Sequence, residues 1–234
     1  MSPAFDDPSR NGAPVDLEGL VAALAHEIRN PLTGISINVQ YLQMIEPQDE
    51  TRREIYADIL EAVNRLDLLV REFTEYLQPA PLKPEKSDLN VLLSQALAGL
   101  EARGLARGLR VATQLDASLP EVEVDARQFR RALEGILEHC LRSAGEGGDV
   151  RLESRLQDQA AVVEVSRSGP ALSASRLEAL FEPAAALKSP ETGFGMALVR
   201  QILAAHCCRL EVDSRHGGRT RLVVTFPLHV KSIS

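Results

Sequence analysis

No stretch of this 234-residue chain approaches the roughly 18 consecutive apolar residues that a membrane-spanning helix requires, and Met1-Ser2-Pro3 opens no signal peptide. A cytoplasmic protein with no membrane partner is the expectation. Cysteine is scarce: Cys140, Cys207 and Cys208 form no disulfide framework and suit a reducing compartment. The vicinal pair after His206 lacks a second cluster of ligands, so no metal is expected and two small core residues are the plainer reading. Lysine is absent from residues 1–80, which hold 14 Asp and Glu against 6 Arg, so essentially all of the overall charge of −7 lies there. Phosphate backbones need a basic footprint, which argues against nucleic acid as a partner. The later arginines are scattered and read as a solvated surface.

What is present divides the chain in order. Residues 1–14, with Pro3, Pro8, Gly12 and Pro14, read as a flexible tail. From Leu17 the apolar positions Val21, Leu24, Ile28, Leu32, Ile35, Val39 and Leu42 follow in steps of three and four, a helical stripe. Glu46-Pro47-Gln48-Asp49 breaks it, and a second stripe runs Ile55, Ile59, Ala62, Leu66, Leu69, Phe73, Leu77. Two long amphipathic helices with a short break make an antiparallel hairpin over 15–79. One hairpin has little to bury its stripe against, so a homodimer closing a four-helix bundle is expected. A proline-rich linker occupies 80–87. Beyond it, over 88–229, come a helix from Ser87 or Asp88 to about Arg103, strands at Leu109–Leu115 and Val122–Val124, and a helix from Ala126 to about Ser143. A β-hairpin around Gln157-Asp158-Gln159, a helix from roughly Phe194 to His206 and two closing strands follow, with 230–234 as a tail. The fold class is α+β: a helical bundle followed by an α/β sandwich.

The richest chemistry lies in Leu24-Ala25-His26-Glu27-Ile28-Arg29-Asn30-Pro31-Leu32. A helix turns once in about 3.6 residues, so His26 and Asn30 share a face and Glu27 sits beside the imidazole. A neutral imidazole is a nucleophile near pH 7, and a carboxylate that takes the proton of one ring nitrogen leaves the other lone pair free. Pro31 removes one intrahelical hydrogen bond next to the reactive residue. A His-Glu pair alone would be an ordinary solvated pair; the full run is much rarer.

That run resembles the phosphoacceptor box of the sensor histidine kinases of two-component signalling. The later residues resemble the same family's ATP-binding domain, of the GHKL ATPase type. Phe181-Glu182-Pro183, Lys188, Thr192-Gly193-Phe194-Gly195-Met196 and His206 match the run that closes over the nucleotide, and Ser214, Gly217 and Thr220 match the last motif. The resemblance implies His26, Glu27 and Asn30 as catalytic residues. It implies Gly169, Lys188, Gly193 and Gly195 as the remains of a nucleotide site, and a response-regulator receiver domain as partner.

The departures are concentrated where ATP is expected. Gly135 and His139 stand where the family's asparagines help to hold magnesium, which wants hard oxygen ligands. The adenine-reading Asp-x-Gly-x-Gly is Arg167-Ser168-Gly169-Pro170-Ala171 here, and arginine has no acceptor for the adenine amino group. An unmatched donor costs about 1–3 kcal/mol. Glu191 replaces a phosphate-loop glycine with a negative charge, and Arg219 replaces another glycine. The expected function is therefore phosphate exchange between His26 and a receiver aspartate, as phosphotransferase or phosphatase, with ATP-dependent autophosphorylation lost and no cofactor. Two alternatives stay open. One is a divergent but active kinase using ATP and magnesium; the other is a binding-only pseudokinase that regulates a partner kinase, a sensor protein or a response regulator.

Overall fold

The computed structural model describes residues 17–45, 50–182, 195–215 and 219–228, with the side chains of residues 17–24, 27, 174 and 215 excepted. The expected tails at 1–14 and 230–234, and the break at 46–49, lie outside the described residues. The chain divides into two compact units, Met1–Gln78 and Pro79–Ser234. Among the described residues no helix is long and apolar enough to cross a membrane.

The first unit is the hairpin of α1 (Leu17–Ile45) and α2 (Glu50–Leu77). Ala25, Leu32 and Val39, seven residues apart, are buried on α1, and Val63 is buried on α2. A repeat of seven keeps one seam of each helix turned to the other. Helix α1 runs unbroken through Pro31. A second apolar stripe, with Ile28, Ile35 and Ile45 on α1 and Ile55, Ile59 and Leu66 on α2, is exposed in the single chain.

The second unit opens with β1 (Glu85–Ser87), which pairs antiparallel with β3 (Val122–Val124), so the end of the proline-rich segment is a strand rather than free linker. Helix α3 (Leu89–Ala102) is capped by Asp88, whose side chain accepts from the amides of Asn90 and Val91. Then come β2 (Arg110–Gln114), α4 (Ala126–Ser143), β4 (Asp149–Gln157), β5 (Ala160–Ser168), α5 (Ala174–Leu180), α6 (Gly195–Ala205), β6 (Arg209–Arg215) and β7 (Arg219–Pro227). The five-stranded sheet runs β2-β4-β5-β7-β6, with β2 parallel to β4 and the other pairs antiparallel. Asp158 and Gln159, at φ 49° and 60°, make the two-residue turn between β4 and β5; two left-handed residues match the twist of the strands.

Strand alternation separates the two faces of this sheet. Val150 and Leu152 of β4, Val163 and Val165 of β5, and Leu222, Val224 and Phe226 of β7 join Leu93, Phe129, Leu133, Ile136 and Leu203 of the helices in one core. The opposite face carries a ladder of charge. Arg110 grips Asp149 with two hydrogen bonds, at 2.6 and 3.2 Å, and Glu164 lies between Arg155 and Arg221. A half-wet sheet of this kind needs helices on one side only.

Candidate functional sites: an exposed histidine and a buried arginine

His26 and Asn30 are both exposed on α1, one helical turn apart. Continuing down the same helix at steps of three and four leads to Thr33, Ile37, Tyr41 and Met44. The last three are 59%, 61% and 78% exposed, large apolar groups left in solvent. Between His26 and Asn30, Arg29 turns toward α2, where its Nε donates to Oδ1 of Asp67 at 3.1 Å. Nη2 of Arg71 lies 2.7 Å from Oδ2 of the same carboxylate. Thr33 donates its hydroxyl to the Arg29 carbonyl at 3.0 Å, adding a bond in the stretch that Pro31 deprives of one. The histidine is thus free for an incoming group, while the next turn is tied across the hairpin.

In the second unit, Arg167 points into the core side of β5 and is only 2% exposed. Its Nη1 donates to the carbonyls of Ser168, at 3.2 Å, and Pro170, at 3.4 Å, and its Nε has no partner. Burial holds this guanidinium below its ordinary pKa. His139 on α4 is its electrostatic neighbour. Burial and then the Arg167 charge push the imidazole down to about 4, and its Nε2 is also unpartnered. Cys140, fully buried beside them, has its thiol pushed up to about 12 by burial. Gly169 follows at φ 113°, and a Cβ there would come within 3.1 Å of Arg167 Nη1. The arginine therefore folds against its own turn.

Gly135, one turn before His139, faces α6. A Cβ at this position would meet Val199 Cγ2 at 2.6 Å, so the helices approach more closely than a side chain at residue 135 permits. At the N-terminus of α4, Asp125 accepts from the amides of Gln128 and Lys83, each at 3.0 Å, while its own N–H donates to Nε2 of the buried His206 at 3.1 Å. His206 Nδ1 lies 2.8 Å from the Ile202 carbonyl, so both of its ring nitrogens are engaged in structure. Ser214 and Thr220 share a 2.9 Å hydroxyl contact, and the Ser214 hydroxyl accepts from the Leu172 amide at 2.8 Å.

Two family models match this order of elements. The His Kinase A (phospho-acceptor) domain matches residues 16–79, and the histidine kinase-, DNA gyrase B-, and HSP90-like ATPase matches residues 124–230. The chain belongs to the two-component sensor histidine kinase family. Among curated relatives, the sensor histidine kinase ZraS of Escherichia coli O157:H7 is 26% identical over 225 residues, covering 96% of this chain and 49% of that one. The alginate biosynthesis sensor protein KinB of Pseudomonas aeruginosa is 27% identical, over 89% of this chain and 36% of that one. The chain therefore spans about half the length, or less, of these relatives. Among solved structures, full-length ShkA in complex with AMPPNP shares the fold with a TM-score of 0.75 at 21% identity, covering 90% of this chain and 46% of that one. Histidine kinase ThkA in complex with the response regulator TrrA does so with 0.67 at 23%, covering 90% and 61%.

Several expected site residues of this histidine kinase homologue are brought together and others are not described. His26 and Asn30 share a face; the side chain of Glu27 lies outside the described residues, as do Lys188, Glu191, Gly193 and Gly217. Gly195 opens α6; Arg167 and Gly169 meet at the end of β5 with His139 of α4 as the electrostatic neighbour of Arg167, and Ala171 follows in the loop beyond. The Arg29–Asp67 pair escapes sequence reading, since 38 residues separate its members. A charged residue facing the seam of each helix is the one signal that could have found it.

Proposed function

We propose that this chain exchanges a phosphoryl group between His26 and the aspartate of a response-regulator receiver, and that ATP is not its phosphate donor. In the forward step, the unprotonated ring nitrogen of His26 attacks the phosphorus of the receiver's aspartyl phosphate. The N–P bond forms as the acyl P–O bond breaks, and its electron pair leaves on the aspartate carboxylate. The other ring nitrogen keeps its proton. In the reverse step the aspartate takes the phosphoryl group back. As a phosphatase the same helix would work differently: the Asn30 amide orients a water toward the aspartyl phosphate and Glu27 accepts its proton. Exposed Ile37, Tyr41 and Met44, on the His26 face, supply apolar area for the receiver to cover. The stripe of Ile28, Ile35, Ile55, Ile59 and Leu66 suits a second copy of the hairpin.

The observation that carries the reading is the buried Arg167. The family resemblance puts the adenine-binding carboxylate at this position, but the side chain here has donors only, and its Nη1 donates to the carbonyls of Ser168 and Pro170. The described residues fit ATP and magnesium poorly in two further ways. His139 is a buried, neutral imidazole in place of a hard oxygen ligand, and Gly135 has no room for a ligand side chain. Each defect costs about tenfold to a hundredfold in affinity, and they act together.

Incubation of the purified chain with labelled ATP and magnesium is expected to leave it unlabelled, whereas a phosphorylated receiver from the same genome passes phosphate to it or loses phosphate. Label from ATP that disappears in His26→Ala would overturn the exclusion of ATP. Phosphoreceivers that are all unaffected would overturn the exchange.

A further inference from the structure

Arg29 follows His26 by three residues, so their side chains are neighbours on the surface of α1, with Cβ atoms about 5–6 Å apart. Helical side chains lean toward the N-terminus, and a long one covers the turn before its own; for Arg29 that is the turn of His26. Its guanidinium is held by one atom. Asp67 on α2 accepts from Nε at 3.1 Å, and because Arg71 occupies the other carboxylate oxygen at 2.7 Å, Asp67 is satisfied from both sides. Both Nη groups of Arg29 have no partner among the described residues, and the side chain is 37% exposed, so solvent reaches it. Five donors in a planar fork, anchored at one and open at four, are the arrangement that grips an anion with paired oxygens.

We propose that Arg29 is the phosphate clamp of this hairpin, binding the oxygens of the phosphoryl group on His26, and that Asp67 is its positioning residue. The proposal rests on His26 being the phosphoacceptor. A phosphoryl group brings close to two negative charges and three acceptor oxygens. Placed beside the acidic first third of the chain it would meet repulsion, which a cation on the adjacent turn offsets. During transfer the charge spreads over the three equatorial oxygens, and a donor already fixed by Asp67 needs no reorganisation to meet it. An Arg29–Asp67 pair that served only to tie α1 to α2 would change stability and nothing else.

The test loads His26 chemically with phosphoramidate, which needs neither ATP nor a receiver, and titrates the phosphohistidine by phosphorus NMR. A clamped dianion loses its last proton at lower pH. Arg29→Gln is expected to raise that titration by about half a unit or more, the size of one charge removed at this range in a solvated site. Arg29→Lys retains the charge and recovers most of the shift. With phosphoreceiver as donor, Arg29→Gln slows transfer by about tenfold or more, and Arg29→Lys recovers only part, because the fork is lost. Asp67→Asn lies between wild type and Arg29→Gln, and Asp67→Glu restores. Thermal melts of every variant, with Arg53→Ala at the far end of α2 as control, separate loss of the hairpin from loss of the clamp. An unmoved titration in a folded Arg29→Gln hairpin would overturn the proposal. If receivers exchange no phosphate with His26 but the titration still moves, the exchange reading fails and the clamp stands.

Discussion

Gly135 of α4 and Val199 of α6 meet so closely that a Cβ on residue 135 would lie 2.6 Å from Val199 Cγ2. No real side chain tolerates that distance, so Gly135 is a helix-packing contact, at a position where the family resemblance leads one to expect an asparagine.

Gly135→Asn is accordingly expected to destabilise the second unit by about 1–3 kcal/mol, the cost of overpacking a close helix contact. Urea unfolding measures it, and Val199→Ala in the same chain should recover part of the loss. A Gly135→Asn protein as stable as the parent would show that α6 yields freely. If the proposed loss of ATP use is correct, Arg167→Asp, His139→Asn and Glu191→Gly together are expected to raise ATP affinity, and adding Gly135→Asn should help only when Val199 is shortened too. Isothermal titration of the two sets decides between them.

Replacing Arg167 by methionine is expected to leave the unfolding midpoint unchanged or to raise it. Its guanidinium is buried, its Nε is unpartnered, and its two bonds to carbonyl oxygens are long, at 3.2 and 3.4 Å. A buried cation with so little compensation is commonly matched or exceeded by an apolar side chain of similar length. A loss above about 2 kcal/mol in Arg167→Met would mean that those carbonyl bonds are net stabilisers.

How much of this was legible in the sequence depended on the range of the cause. The hairpin helices follow from local spacing, and α4 begins at Ala126 as expected because Asp125 is a strong local cap. Strand β1 is three polar residues, Glu85-Lys86-Ser87, whose pairing is supplied entirely by Val122–Val124, so nothing local announces it. Helix α5 is only seven residues long, too short for Leu177 and Leu180 to display a helical period in the sequence. Where the family resemblance leads one to expect an adenine-reading aspartate, the sequence shows Arg167, a donor in place of an acceptor. It does not show where the guanidinium goes, because that depends on β5 being central and on α4 covering it. The narrowness at Gly135 likewise belongs to α6, 60 residues later.

The three cysteines should separate sharply in reactivity. Burial pushes the Cys140 thiol up to about 12, and burial with the neighbouring Cys207 does the same to Cys208, whereas Cys207 is exposed at the end of α6. Thiolate is the reactive form, so one fast equivalent with Ellman's reagent at pH 8 is expected, with the other two appearing on unfolding in guanidinium. Cys207→Ser should remove the fast phase. Two fast equivalents in the native protein would contradict the raised thiols of Cys140 and Cys208.

His139 gives the second unit a pH dependence of definite sign. Its pKa falls from 6.5 to about 4 on folding, chiefly through burial and secondarily through the Arg167 charge. Between those values the unfolded chain binds a proton that the folded chain refuses, so stability rises with pH across this window. The contribution is fully present above about pH 6.5, is lost as pH falls, and flattens below about 4. A shift of this size corresponds to roughly 3 kcal/mol as an upper figure, at 1.36 kcal/mol for each pKa unit. Urea unfolding at pH 7, 5.5 and 4.5 should show the slope, and His139→Leu should remove most of it while leaving the part owed to carboxylates. Arg167→Met should reduce the slope without abolishing it, because burial is the larger cause. An unchanged slope in His139→Leu would move the titrating group elsewhere.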